Sequence, residues 1–200
     1  MAKLIFRYGT MGCGKSTHLL QVLDNYKRID KTVVLMKPEI DTKGNRTIVS
    51  RLGVRAKCDF LIKKDDSIKG TILFLKSLYP IDAVLIDEAQ FLTKDQVDQL
   101  LFLTTQGVDV LCYGLRTNFR TSDKGFEGAT RLLQLSHDVE EIKMMCRCGR
   151  KALFNTRFLN DKIVIDGPDV LIDDGKTQIQ YVPLCASCFY QELNKSDKTL

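Results

Sequence analysis

A glycine-rich octapeptide, Gly9-Thr10-Met11-Gly12-Cys13-Gly14-Lys15-Ser16, constrains this chain more than any other feature. It has the spacing G-x-x-x-x-G-K-[ST] of a phosphate-binding loop, a motif that requires a strand before it and a helix after it. Both flanks comply. Lys3 to Tyr8 is a short apolar run that reads as a buried strand, and Ser16 to Leu23 carries apolar residues at helical spacing. Glycines let the backbone curl until its N–H groups converge on phosphate oxygens, and the helix N-terminus adds partial positive charge. Lys15 is placed to reach the β- and γ-phosphates, and Ser16 to ligate Mg²⁺. The sequence therefore predicts binding of a nucleoside triphosphate such as ATP, with Mg²⁺.

The 200 residues suffice for one domain, or one domain with a small appendage. A net charge of +5 is too small and too dispersed to indicate nucleic-acid binding. No apolar run approaches the ~18 residues of a membrane span. Met1-Ala2-Lys3 leads straight into the first strand, so no signal peptide is expected. Seven cysteines, an odd number, together with a phosphate loop favour a reducing cytoplasm over a disulfide framework.

Up to about residue 140 strands and helices alternate. Thr32–Met36, Ala83–Asp87 and Val108–Tyr113 read as buried strands. Ser67–Leu78 (with Ile68, Ile72, Leu75 and Leu78 at helical spacing) and Lys94–Gln106 (with Val97, Leu100, Leu101 and Leu103 inward) read as helices. Residues 39–57, polar and weakly periodic, read as a long mobile loop that orders on ligand binding. The pattern predicts an α/β fold with a parallel sheet covered by helices. Beyond residue 140 come short β-like runs at 151–159, 162–165 and 178–182, separated by turn signals such as Asp173-Asp174-Gly175. This predicts residues 1–140 as a nucleotide-binding domain, 141–193 as a small β-rich domain, and 194–200 as a frayed polar tail.

Asp87-Glu88-Ala89-Gln90 ends one of the buried strands. Phosphate-loop proteins need an acid there to hold Mg²⁺ through its waters, which suits Asp87. Glu88 then stands beside the γ-phosphate, where a carboxylate can take a proton from an attacking hydroxyl or water. Cys146-Arg147-Cys148-Gly149 and Cys185-Ala186-Ser187-Cys188 form a second constellation. Two short-spaced thiolate pairs suit one tetrahedral Zn²⁺, and four protein ligands make such a site structural. Cys13, Cys58 and Cys112 lack that spacing, and His18 and His137 read as packing residues. In Leu115-Arg116-Thr117-Asn118-Phe119-Arg120, beyond a strand's carboxyl end, an aromatic ring between arginines could meet a nucleobase and phosphate.

Together the phosphate loop with Met11, Asp87–Phe91, Cys112–Phe119 and the two cysteine pairs resemble the type II thymidine kinase family, over Lys3 to Tyr190. The resemblance implies transfer of the ATP γ-phosphate to the 5′-hydroxyl of thymidine or deoxyuridine, with Glu88 as the base that activates this hydroxyl. It implies a zinc-bound lasso whose backbone, at Val170, Leu171, Ile172, Asp173 and Asp174, hydrogen-bonds the pyrimidine, with Tyr181 closing the segment. Met11, Phe91, Leu115, Phe119 and Phe126 match apolar positions around thymine and sugar. Homotetramers and feedback inhibition by thymidine triphosphate are common in that family. Asp173-Asp174 replaces two glycines of the family pattern, and Asn118 stands where many members have Asp. Asp41-Thr42-Lys43 replaces Asp-x-Arg, passing the phosphate contact to Lys43 or Arg46. A helicase-type ATPase shares the acid pair, but the chain has neither a second lobe nor a wide basic face. A nucleic-acid-binding zinc module would have no use for Lys15, Ser16 and Glu88 together.

Overall fold

The computed structural model describes residues 1–119, 125–167 and 178–197. The chain starts with β1 (Leu4–Tyr8), the phosphate loop and α1 (Lys15–Arg28), followed by β2 (Val33–Pro38). A short hairpin, β3 (Thr47–Val49) and β4 (Arg55–Lys57), precedes β5 (Phe60–Ile62) and α2 (Ile68–Leu78). Next come β6 (Ala83–Ile86), one 3₁₀ turn (Ala89–Phe91), α3 (Lys94–Thr105), β7 (Asp109–Gly114), α4 (Glu127–Leu135) and β8 (Asp138–Glu141). The chain continues through β9 (Phe154–Leu159), β10 (Lys162–Val164), β11 (Ile179–Leu184) and α5 (Ala186–Asp197).

Six strands form a sheet in the order β5-β2-β6-β7-β1-β8, and every pairing is parallel. Alternation along the strands divides the core. Val84, Ile86, Val110 and Cys112 face α2, α3 and α4, where Ile72, Val97, Leu100, Leu103 and Leu132 are fully buried. Leu85, Leu111 and Tyr113 face α1 through Leu19, Leu20 and Leu23. Burying both faces requires the near-continuous apolar strands seen in the sequence. Helix α3 begins at a capping box: Thr93 Oγ1 accepts the Gln96 N–H (3.2 Å) and Gln96 Oε1 accepts the Thr93 N–H (3.1 Å).

Two expectations need correction. Residues 39–57 are not a featureless loop. Ile48 of the β3–β4 hairpin is buried against the α1 side of the sheet, and just beyond it β5 pairs with β2 at the sheet edge. Three-residue strands are too short for periodicity to register. Residues 194–197, read as part of a tail, are helical and belong to α5.

The smaller sheet, β10-β9-β11, is antiparallel. Its core is slight: Ala152, Phe158, Leu184 and Phe189 with three cysteines buried among them, and Phe154 stacked on Phe189 at 4.3 Å. No helix of the described residues is long and apolar enough to cross a membrane.

Candidate active site

The phosphate loop lies at the carboxyl ends of the parallel strands, where open α/β sheets bind ligands. Gly14 caps α1 in the left-handed region (φ 90°, ψ 16°), and Gly12 also has positive φ (84°). Both conformations favour glycine and let the loop backbone turn inward. Lys15 is buried, with Nζ donating to the carbonyls of Gly9 (3.3 Å) and Thr10 (3.1 Å). Those two residues thus seat the lysine from behind, while Met11 to Ser16 line a cavity of about 960 Å³.

Asp87 directly follows β6, almost fully buried, and its Oδ2 accepts the Ser16 hydroxyl at 2.8 Å. Its other oxygen, also buried, has no hydrogen-bond partner among the described residues. Burial, and then the charge of Glu88, push the Asp87 carboxyl up to about 7, against the pull of the Ser16 hydrogen bond and of Lys15. A buried acid with a free oxygen beside a hydroxyl is a donor set that a hard divalent cation such as Mg²⁺ fits.

Glu88 lies next in the chain with φ 51° and ψ 38°, left-handed without being glycine. Such a conformation costs of order 1–3 kcal/mol and persists where its surroundings hold it. Gln90 supplies that hold. Its Nε2 donates to Glu88 Oε2 (2.5 Å), and its Oε1 accepts the Leu115 N–H (3.0 Å). Glu88 and Gln90 line the cavity together. Ala89 turns the other way and is fully buried in the core.

Met11, Phe91, Leu115, Phe126 and Tyr181 make the apolar wall, with Phe91 and Phe126 edge to face at 5.4 Å. Phe119 is 5% exposed and does not line the cavity. Instead it packs under the Arg157 guanidinium, 3.4 Å from carbon to ring centroid. Val170, Leu171, Ile172, Asp173 and Asp174 lie outside the described residues.

Lys43 lines the cavity, whereas Arg46 is engaged elsewhere, donating to the Asp59 carbonyl (2.7 Å). The sequence reading missed Arg51. It sits on the β3–β4 turn and lines the cavity, so close that a Cβ at Gly12 would lie 2.9 Å from its Nη1. His18 reaches the cavity wall, with Nδ1 3.0 Å from the Tyr113 hydroxyl, while His137 Nδ1 accepts the Leu4 N–H (2.9 Å) as a packing residue would. Asn155 and Arg157, both buried, were also missed. They lie in a polar run, Asn155-Thr156-Arg157, with no motif around it.

The four cysteines meet at the base of the small sheet, all ligand atoms within 4.8 Å of one another. Cys148 Sγ lies 3.5 Å from Cys185 Sγ, near the ~3.8 Å edge expected of tetrahedral Zn²⁺ with Zn–S bonds of about 2.3 Å. Thiols this close cannot all ionise unaided. A hydrogen bond from Arg150 draws Cys148 down to about 6, and the neighbouring sulfur of Cys148, then burial, push Cys188 up to about 12. A dication resolves that conflict, so the donor set fits Zn²⁺.

The fold and this cavity define a phosphate-loop, nucleotide-using enzyme. The sequence model described as thymidine kinase matches residues 2–189. The thymidine kinase of Chromobacterium violaceum is 40% identical over 196 residues, covering 96% of this chain and 100% of that protein. That of Legionella pneumophila strain Paris is 42% identical over 188 residues (92% and 88% covered). That of Enterobacteria phage T4 is 38% identical over 198 residues (98% of both). Among solved structures, a Pif1 helicase from Candida albicans matches 70% of this chain at TM-score 0.42 and 10% identity, the chain spanning 36% of the helicase. The chain belongs to the thymidine kinase family.

Proposed function

We propose that this enzyme transfers the γ-phosphoryl group of ATP to the 5′-hydroxyl of thymidine, and of deoxyuridine. The observation that carries this reading is one cavity holding the phosphate loop, a left-handed Glu88 pinned by Gln90, and an apolar, aromatic wall. Loop N–H groups and Lys15 bind and orient the triphosphate. Ser16 and Asp87 hold Mg²⁺, which supplies neutralisation of the phosphate charge when bound. Glu88, as carboxylate, accepts the 5′-hydroxyl proton as O5′ bonds to the γ-phosphorus. The bond from that phosphorus to the bridging oxygen breaks, and ADP leaves with the electron pair. Met11, Phe91, Leu115, Phe126 and Tyr181 leave room for a pyrimidine, and the backbone of residues 170–174 reads its edge.

The four cysteines hold one structural Zn²⁺ at the base of this lasso. We extend the proposal to a homotetramer, to feedback inhibition by thymidine triphosphate, and to a cytoplasmic salvage role. Incubation with ATP, Mg²⁺ and each nucleoside in turn tests the core of it. Thymidine and deoxyuridine give monophosphates, and deoxyadenosine and deoxyguanosine do not. Comparable rates on the purine nucleosides, or ATP hydrolysis with no monophosphate, would sink it.

A further inference from the structure

Strand β9 meets the nucleotide site through its buried polar side chains. Asn155 and Arg157 alternate onto one face of the strand, 3% and 0% exposed. Asn155 Oδ1 accepts the Met11 N–H of the phosphate loop (2.7 Å), and its Nδ2 donates to the Thr117 carbonyl beyond β7 (3.0 Å). One partner is a donor and the other an acceptor, so the amide fits in one orientation only, and neither a carboxylate nor a hydrocarbon satisfies both. Two residues along, Arg157 lies over the Phe119 ring and donates through Nε to the Tyr181 hydroxyl (2.8 Å). The segment 115–119 is thereby held at three points: Leu115 by Gln90, Thr117 by Asn155, and Phe119 by Arg157.

Met11, in the phosphate loop, and Leu115, in the segment 115–119, both line the cavity. A single side chain from the small sheet therefore fixes the distance between the loop that holds the transferring phosphate and the wall that holds the acceptor. We propose that Asn155 is a positioning residue for phosphoryl transfer, setting the phosphate loop and the acceptor wall at reacting distance. The proposal rests on the kinase reading of the cavity. Because the Met11 N–H is spent on Asn155, it is not among the N–H groups offered to ATP. Losing Asn155 then leaves donor affinity alone and misplaces the acceptor, where a displacement of about 1 Å can cost ~10²-fold.

The test is single-turnover formation of the nucleoside monophosphate, with ATP, Mg²⁺ and thymidine saturating, in wild type, Asn155→Ala and Thr156→Val. Thr156 is the neighbour on the same strand, buried to 1% exposure, and its hydroxyl has no partner among the described residues. The expected result is a fall of roughly 10- to 100-fold for Asn155→Ala with ATP affinity unchanged, and a wild-type rate for Thr156→Val. A merely structural Asn155 would lower the melting temperature and the folded fraction but leave the rate per loaded site unchanged, and that result would overturn the inference. So would an equal fall in Thr156→Val. If Asn155→Ala does not fold, Asn155→Asp carries the test. It keeps the volume and the acceptor for Met11 but sets an oxygen against the Thr117 carbonyl, so a wild-type rate there also overturns the inference. A wild type that makes no monophosphate refutes the kinase reading instead, which keeps the two failures apart.

Discussion

The parallel sheet and the small antiparallel sheet reach order by different means. In the first, apolar strands alternate into two buried layers, and α1, α2, α3 and α4 close them. Burial at about 25 cal/mol per Å² is the dominant stabilising term there. In the second, three of the seven buried core residues are cysteines, and the remaining apolar contacts centre on Phe158, Leu184 and Phe189. So small a core does not hold three strands and a helix unaided. The work is therefore divided. On the proposed reading, phosphate chemistry sits on the self-sufficient sheet, and the part over the base sits on a sheet that would depend on a metal held by the four cysteines. Among the described residues, Asn155 and Arg157 join the two.

Removing the metal should separate the two regions most. Structural zinc supplies an apparent ~10–16 kcal/mol in small metal-folded peptides. Elemental analysis should find about one zinc per chain. Chelation, or Cys185→Ser, should abolish or greatly weaken thymidine binding in calorimetry while ATP still binds. A metal-free protein with full activity would remove the contrast altogether.

A cavity in the first region should have the opposite signature. Leu100 of α3 is fully buried, and Leu100→Ala should cost about 2–5 kcal/mol of unfolding free energy. Denaturant titration should show the midpoint falling with zinc per folded chain unchanged. A loss below about 1 kcal/mol would mean that the sheet is not the close-packed core described.

The smallest effect is expected at the hairpin that arches over the phosphate loop. Arg51 is exposed at its tip, so Arg51→Ala should raise KM for ATP by no more than about tenfold and leave KM for thymidine unchanged. Steady-state kinetics with each substrate varied would show it. A larger change on the thymidine side would move Arg51 from the donor half of the cavity to the acceptor half.

These regions were unequally legible in the sequence. The phosphate loop, β1, β2, β6, β7, the Asp87-Glu88 pair and the cysteine pairs could be read because each is a local pattern: an apolar run, a fixed spacing, a motif in its strand-loop-helix setting. The β3–β4 hairpin and β5 could not, at three residues each. Edge strand β8 is Asp138-Val139-Glu140-Glu141, poor in strand-forming residues. It is a strand because it pairs with β1, flanked by Lys3–Asp138 (2.9 Å) and Arg7–Glu140 (2.6 Å) ion pairs. Asn155, Arg157 and Arg51 are defined by what the tertiary fold brings to them, and no spacing in the chain announces it.

The central claim is that Glu88, strained into place and held by Gln90, is the base for transfer to a nucleoside hydroxyl. Glu88→Gln keeps the size of the side chain and a hydrogen-bonding oxygen but removes basicity. The direct measurement is the rapid-quench rate of thymidine monophosphate formation in wild type and Glu88→Gln, with ATP binding followed in parallel. The expected result is a rate lower by about 10²–10⁴ with ATP affinity retained. A Glu88→Gln enzyme that turns over at close to the wild-type rate would contradict the account.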